Sequence, residues 1–300
     1  MVKRPSKEQP MKNVNAVLVI LVLLIGMIGV YTLQQQPSGQ SQPLVKESAY
    51  DRVMRTQTIR CGYITWKPFF VKDPNSGALS GIFYDYTEAL GKALNLKIEW
   101  TEETSWGDFP AALGSGRFDA MCAGSYPNSA RARVIDFVRP ILYQPAYAYT
   151  REGDKRFDNH PEAINDPQKT IAVVEGSTMN LIATQDFPHA KDFLMPEMTS
   201  LADSFVSVAS GKADVTLSNA TTAEEYMHDN PGKIRRVENS APLSIFPNAL
   251  AVGGGQDRLR RMLDIATGET LNSGTIDAIL AKYPGDSDTL LRVSQPYKNN

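Results

Sequence analysis

The chain has 300 residues, 42% of them hydrophobic, and it carries 31 Lys and Arg residues against 33 Asp and Glu residues. This length and composition allow one large or two medium domains with packed cores, and they exclude disordered, collagen-like and disulfide-scaffold chains. Four basic residues and one acid precede the first apolar run, which leaves the remainder of the chain net acidic. Because an acidic surface repels phosphate backbones, we expect no nucleic-acid partner.

An apolar run without any charged residue spans residues 16–33. As a helix rising 1.5 Å per residue, it would be about 27 Å long, close to the hydrocarbon thickness of a bilayer. The basic segment, residues 1–15, should stay in the cytoplasm, which places the rest of the chain in the periplasm. The run ends without an A-x-A-like cleavage site or a nearby cysteine. We therefore expect an uncleaved helix that tethers the protein to the inner membrane, with a cleaved signal segment as the alternative.

Residues 34–57 are rich in Gln, Ser and Pro and predict a linker, so folding should begin near Thr58. After that point short apolar runs alternate with helical patterns. This β-α-β-α-β order predicts a mainly parallel sheet with helices on both faces. The predicted strands and helices lie at residues 59–64, 86–94, 96–100, 109–113 and 118–123.

The alternation resumes after Asp166 and indicates a second set of strands and helices. Its predicted elements are strands at 171–174 and 213–217, helices opening at Gly176 and spanning 201–209, and final helices from Asp257 and Thr275. Two extended, proline-marked segments, residues 141–146 and 244–248, cross between the two sets. Two such crossings make a hinge, and a hinge makes a cleft.

The predicted fold class is therefore α/β, with two lobes of mainly parallel sheet joined by two hinge crossings. The expected domain organisation is lobe 1 at residues 58–141 and 250–285, lobe 2 at residues 147–243, and a C-terminal tail at residues 286–300.

Cys61 and Cys122 are the only cysteines. They fall on the first and third predicted strands of lobe 1, which are normally neighbours, so we expect the two residues to lie close together. Parallel neighbours rarely offer good disulfide geometry, and the sequence leaves open whether they are bonded.

Three side chains follow successive strands of the first lobe, at the edge where ligands bind in open α/β sheets. Trp66 and Trp106 can hold an apolar or planar body, and Arg131 can clamp a carboxylate through two parallel hydrogen bonds. The loop 124–128 before Arg131 adds backbone donors and the Asn128 side chain. Each residue alone is more often a core or surface residue, and it is their joint occurrence that indicates a binding site.

Several ordered motifs support this interpretation and identify a family. Residues 81–86, 106–113 with 116–120, and 131–137, together with the ending at 271–283, resemble the polar amino-acid solute-binding proteins of ABC transporters, family 3. The resemblance covers about residues 58–285. It implies a type II periplasmic-binding-protein fold and a ligand held between the two lobes.

The resemblance also implies the ligand-binding residues. Trp66 and Trp106 match the family's aromatic walls, and Arg131 matches the arginine that binds the ligand carboxylate. The other matched positions are Tyr63, Gly124, Tyr126, Asn128, Ser177, Thr178 and Asn219. Ser177 and Thr178 open a helix, where an anion is stabilised.

Two acids that the family pattern includes are missing here. Asn219 stands where an aspartate usually pairs with the ligand ammonium, and Tyr63 stands where another acid is common. We therefore expect an ordinary α-amino acid to bind poorly, unless a shift of Glu175 supplies the missing charge. Acids that lack the amine are the better candidates.

The expected function is capture of a small carboxylate-bearing polar solute for an inner-membrane permease, by a monomer that is not an enzyme. The alternatives are a lyase resembling the cyclohexadienyl dehydratases and a membrane-tethered sensory module. The three histidines have no metal-ligand spacing, and Gly253–Gly255 lacks the rest of a dinucleotide fingerprint. We therefore expect no metal and no cofactor.

Overall fold

The computed structural model describes residues 20–29, 31, 47–238, 240–283 and 289–293. These residues belong to two units, 1–46 and 47–300. In the first unit residues 20–29 are helical, and their large apolar side chains are exposed. The basic segment 1–15 and the remainder of the predicted anchor, apart from Tyr31, lie outside the described residues. Within the described part of the chain, no helix is both long and apolar enough to cross a membrane.

The predicted linker 34–57 is wrong at its C-terminal end, because Ala49–Thr56 forms a helix, α1. Ser48 caps this helix by accepting a hydrogen bond from the Asp51 amide. Val53 on its inner face is fully buried. An eight-residue helix is marginal alone, so burial and pairing against the first lobe stabilise it.

Arg52 fastens α1 to the first lobe. Its Nε donates to Asp119 Oδ1 at 2.9 Å, and its Nη2 pairs with Oδ2 of the same carboxylate. The Asp119 side chain is only 1% exposed and also accepts from the Arg60 amide and guanidinium. A buried carboxylate is stabilised by such charged and backbone donors, so this cluster joins α1 to the sheet.

The first lobe has the predicted parallel sheet. Its central strand β1 pairs with β4 on one side and β5 on the other, both in parallel. The elements up to this point are β1 (Thr58–Tyr63), β2 (Val71–Lys72), β3 (Leu79–Ser80), α2 (Ile82–Leu94), β4 (Lys97–Glu103), α3 (Phe109–Ser115) and β5 (Ala120–Ser125). Helix α2 buries one apolar face, which includes Phe83, Tyr86 and Leu90.

The second lobe repeats the design with β8 between β9 and β10, both parallel to it. Its elements are β8 (Thr170–Val174), α4 (Thr178–Asp186), β9 (Lys191–Met195), α5 (Ala202–Ala209), β10 (Val215–Asn219), α6 (Ala220–Asp229) and β11 (Ile234–Arg236). Phe205 and Val208 of α5 are fully buried against this sheet.

The two crossings are strands that pair with each other. β7 (Leu142–Arg151) and β12 (Ser244–Gly253) run antiparallel, with Ser244 opposite Ala146 and Asn248 opposite Leu142. The second half of β12 then pairs with β5 and with β6 (Ile135–Phe137). The pairing satisfies the backbone groups of both crossings, so one hydrogen-bonded path, β4-β1-β5-β12-β7-β10-β8-β9, runs through both lobes instead of two separate sheets.

The C-terminal helices α7 (Asp257–Asn272) and α8 (Thr275–Leu280) pack on α2. The predicted tail 286–300 contains a short strand, β13 (Leu291–Arg292), which pairs with β7. The expected lobe boundaries, 58–141 with 250–285 and 147–243, stay predictions.

Cys61 and Cys122 lie together as expected, with a Cα–Cα separation of 5.4 Å, and they form a disulfide. Adjacent strands explain the proximity, because Cys61 on β1 lies opposite Ala120 on β5.

The docking of α1 can be tested with two arginines of the same helix. Arg52→Ala should lower the free energy of unfolding by about 1.5 to 3 kcal/mol, since it removes charged hydrogen bonds from a buried carboxylate. Arg55 pairs with Glu47 at 2.8 Å on an exposed surface, where water screens the pair, so Arg55→Ala should lower the free energy of unfolding much less. Urea denaturation measures both, and equal losses would contradict the docking of α1 through Asp119.

Candidate functional site

A cavity lies between the lobes, where the carboxyl ends of the strands face each other. Of the predicted site residues, those that line it are Trp66, Trp106, Tyr126, Ser177, Thr178 and Asn219. The cavity volume is about 30 Å³, too small for a solute of amino-acid size. The structure is therefore closed, and such a solute enters only when the lobes separate.

The aromatic residues of the first lobe form a cluster and not two parallel walls. The rings of Trp66 and Trp106 are 5.3 Å apart at 82°, and those of Trp66 and Tyr126 are 5.4 Å apart at 89°. The indole Nε1 of Trp66 donates to Thr222 Oγ1 of the second lobe at 3.1 Å. The edge-to-face arrangement is favourable in itself and fills the closed cleft.

Arg131 links the two lobes through uncharged oxygens. Its Nη1 donates to the Tyr126 carbonyl and to Thr178 Oγ1, each at 3.3 Å. Its Nη2 donates to the carbonyls of Trp106 at 3.3 Å and of Gly176 at 3.2 Å. Tyr126 and Trp106 belong to the first lobe, whereas Gly176 and Thr178 belong to the second.

The guanidinium is buried without a negative charge beside it. Arg131 is 7% exposed, and burial lowers the pKa of its guanidinium to about 10, so it stays charged at neutral pH. Among the described residues no carboxylate pairs with it, whereas the ring of Phe109 lies 4.8 Å from its central carbon. A buried charge held only by neutral groups is the state that an anionic ligand relieves.

Arg131 faces a groove that adjoins the cavity. This groove has a volume of about 370 Å³, and Asn128 and Arg131 line it, while Trp106 and Ser177 line both spaces. The Asn128 side chain accepts from the Arg131 amide at 2.9 Å and so fixes the turn that carries the arginine. The predicted site residues are thus divided between a cavity and a groove that share two side chains.

The second lobe contributes the start of α4. Ser177 caps the helix, because its Oγ accepts from the Asn180 amide at 3.1 Å. Gly176 before it has φ +72°, and a Cβ there would lie 2.7 Å from the backbone of Gly107 in the first lobe. The two glycines therefore let the loops of the two lobes touch.

Asn219 ends β10 and caps α6 from within the cavity wall. Its Oδ1 accepts from the Thr222 amide at 2.9 Å and from Gln144 Nε2 at 3.2 Å. Gln144 is fully buried on β7, and its Oε1 accepts from the Tyr126 hydroxyl and from Asn248. Burial raises the pKa of Tyr126, and a hydrogen bond with Asn219 partly offsets that rise. The network joins both hinge strands to both lobes.

Sequence reasoning missed Gln144 and Asn248. The signal was available, because both are polar residues inside extended segments that were predicted to cross between the lobes. A polar side chain buried at a hinge needs partners, and these two find each other.

Two predicted residues line neither the cavity nor the groove. Tyr63 stacks on Phe70 at 5.0 Å, and Lys72 lies over its ring. Gly124 has φ +79° and packs against the ring of Phe83, where a Cβ would clash at 2.5 Å. Both positions serve packing of the first lobe.

Glu175 is exposed and lines neither the cavity nor the groove. Among the described residues, no three His, Cys, Asp or Glu side chains are placed to hold a metal ion.

Two α/β lobes, two paired hinge strands and a polar cleft at the strand ends define a type II periplasmic-binding-protein fold. The sequence model of the bacterial extracellular solute-binding proteins, family 3, matches residues 59–286, and the chain belongs to this family. This confirms the resemblance found in the sequence and places the chain in a family of solute-binding proteins.

Relatives of known name include both binding proteins and an enzyme. The chain is 25% identical to the cyclohexadienyl dehydratase of Pseudomonas aeruginosa over 179 residues, which cover 59% of this chain and 65% of the dehydratase. It is 25% identical to a probable histidine-binding protein of Neisseria gonorrhoeae over 215 residues, covering 70% of this chain and 76% of that protein.

A solved structure with a similar fold also relates to both a binding protein and the dehydratase. The ancestral amino acid-binding protein that is a precursor of cyclohexadienyl dehydratase is 27% identical and superposes with a TM-score of 0.68, over 79% of this chain and 99% of the other.

The contact between the two glycines predicts how closure can be blocked. Gly176→Ala should hold the lobes apart and raise acrylamide quenching of Trp66 and Trp106, because a Cβ would meet Gly107. Gly211→Ala is the control, since Gly211 also has positive φ, at +80°, but has open space around it. Both variants should lose about 1 to 2 kcal/mol of stability from backbone strain. A rise in quenching that is equal in the two would contradict the interlobe contact.

Proposed function

We propose that the protein is an extracytoplasmic solute-binding protein that captures a small carboxylate-bearing solute, with Arg131 as the carboxylate ligand. The observation that carries the proposal is the buried guanidinium of Arg131, which among the described residues meets only neutral oxygens. These four contacts are long for charged hydrogen bonds, which prefer about 2.7 to 2.9 Å. A carboxylate entering the cleft would replace some of them with shorter, charge-assisted bonds.

The second lobe supports an anion at the same place. Helix α4 begins at Thr178, so its first backbone amides and the positive end of its dipole lie beside Arg131. The Thr178 hydroxyl, which accepts from Arg131 in the closed structure, can rotate to donate to a carboxylate. Both lobes therefore favour the bound anion, and the anion favours closure.

The cavity that adjoins the groove of Arg131 favours an uncharged body. Its wall includes Val173, Met179, Leu201 and Leu217, with hydroxyls from Ser204 and Thr216. Among the described residues, no Asp, Glu, His, Lys or Arg side chain lines this cavity. A neutral or apolar group fits such a wall, because an unpaired charge there would lose its hydration without compensation.

We propose binding and not turnover. Elimination from a ring, as a dehydratase performs it, needs an acid or base within reach of the substrate. The lining of the cavity and of the groove contains no Asp, Glu or His side chain among the described residues. Decay of a cyclohexadienyl substrate in the presence of the purified protein would contradict this part of the proposal.

The partner that fits a solute-binding protein is an inner-membrane ABC-transporter permease that recognises the closed monomer. We further propose, from the charge-free run at residues 16–33, that the protein is tethered to the inner membrane. A mature chain that begins beyond Leu33 would contradict the tether.

The role of Arg131 in binding a carboxylate can be tested with Arg133 as the control residue. Arg131→Ala should weaken binding of a carboxylate ligand by about 3 to 5 kcal/mol, because the anion would be buried without its partner. Arg133→Ala is the control, since Arg133 lies in the same short helical turn but is exposed. The ligand is first chosen by calorimetry from the twenty amino acids and their keto and hydroxy counterparts. Unchanged affinity in Arg131→Ala would show that the arginine is structural.

A further inference from the structure

The orientation of the Asn219 amide is fixed by a backbone donor. Its Oδ1 lies 2.9 Å from the Thr222 amide nitrogen, and a backbone N–H can only donate. The atom facing Thr222 is therefore the oxygen. The same oxygen accepts from Gln144 Nε2 at 3.2 Å, so both of its lone pairs are occupied.

The Gln144 side chain also fixes the orientation of the Asn219 amide. Its Nε2 faces the Asn219 oxygen, and its Oε1 accepts from the Tyr126 hydroxyl at 2.9 Å and from Asn248 Nδ2 at 3.0 Å. Gln144 and Asn248 are fully buried, and Asn219 is 2% exposed. Reversing either the Gln144 or the Asn219 amide would place donor against donor in a buried site, which is costly.

Only the amide nitrogen of Asn219 remains for the cavity that this residue lines. That nitrogen carries two hydrogens and no acceptor site. The Tyr126 hydroxyl, which also lines the cavity, donates its own hydrogen to Gln144. The cavity wall at Asn219 is thus a hydrogen-bond donor.

We propose that the solute presents a hydrogen-bond acceptor to Asn219, which makes keto- or hydroxycarboxylates the preferred class over α-amino acids. The inference rests on the proposed function, in which Arg131 holds the carboxylate. An ammonium group has three donors and no acceptor, so it would face the Asn219 hydrogens without a partner. A keto or hydroxyl oxygen accepts from them. Tyr126 contacts Arg131 through its carbonyl and the amide network through its hydroxyl, so one residue joins the carboxylate position to the acceptor position.

The test replaces the side-chain NH2 group of Asn219 with an oxygen. Asn219→Asp keeps an oxygen for the Thr222 amide and for Gln144, and aspartate caps helices as well as asparagine does. It exchanges the donor for a negative charge. Calorimetry compares pyruvate, lactate and L-alanine, and then phenylpyruvate, phenyllactate and L-phenylalanine, on the full chain.

The unmodified protein should bind a keto or hydroxy acid roughly 10-fold or more tightly than the matching amino acid. Asn219→Asp should reverse that order. Asn272→Asp adds the same charge at an exposed position outside the cavity and the groove, and it should leave the order unchanged.

The outcomes separate the inference from the function on which it rests. If the unmodified protein binds L-alanine or L-phenylalanine as tightly as the matching keto and hydroxy acids, the inference is wrong and the carboxylate function stands. The inference is also wrong if folded Asn219→Asp still binds the keto and hydroxy acids more tightly than the matching amino acids. If none of these carboxylates binds, the proposed function fails and the inference falls with it. If Asn219→Asp does not fold, the relative affinities of the unmodified protein for these ligands still test the inference.

Discussion

The rest of the site depends on one unbalanced charge, the guanidinium of Arg131, which is buried where the two lobes meet. It is held by two oxygens from each lobe, and all four are uncharged. Closure without a solute therefore joins the lobes but leaves the charge uncompensated. A carboxylate supplies what the protein lacks, so the free energy of closure and the identity of the solute are coupled through this group.

The fold places this charge by bringing strand ends together. Parallel strands in each lobe end at the cleft, so the loops after β1, β4, β5, β8 and β10 all reach it. Gly107 and Gly176 allow the backbones to touch across the cleft. The pairing of β7 with β12 and the buried Gln144–Asn248 contact place the hinge directly behind the cavity. A solute that moves Asn219 therefore also displaces the hydrogen bonds of the hinge strands.

The sequence predicted the parts of the fold that show strong periodicity. The buried strands β1, β5 and β8 and the amphipathic helix α2 were found because apolar spacing reports burial. Helix α1 was missed because its helical pattern follows a polar, proline-containing stretch. Strand β9 was missed because Lys191 and Asp192 begin an exposed edge. Of the predicted ligand-binding residues, those that follow strands lie in the cleft, and their role in binding stays a prediction. Tyr63 lies outside the cavity and the groove, because its orientation depends on stacking against Phe70. The amide network was not predicted, because it depends on contacts between distant segments.

A crystal structure of the protein with the solute that co-purifies with it tests the central claim most directly. The account predicts carboxylate oxygens at hydrogen-bonding distance from Nη1 and Nη2 of Arg131, with the carbonyls of Trp106 and Gly176 displaced from those atoms. A solute bound elsewhere, with Arg131 keeping all four of its protein oxygens, would contradict it.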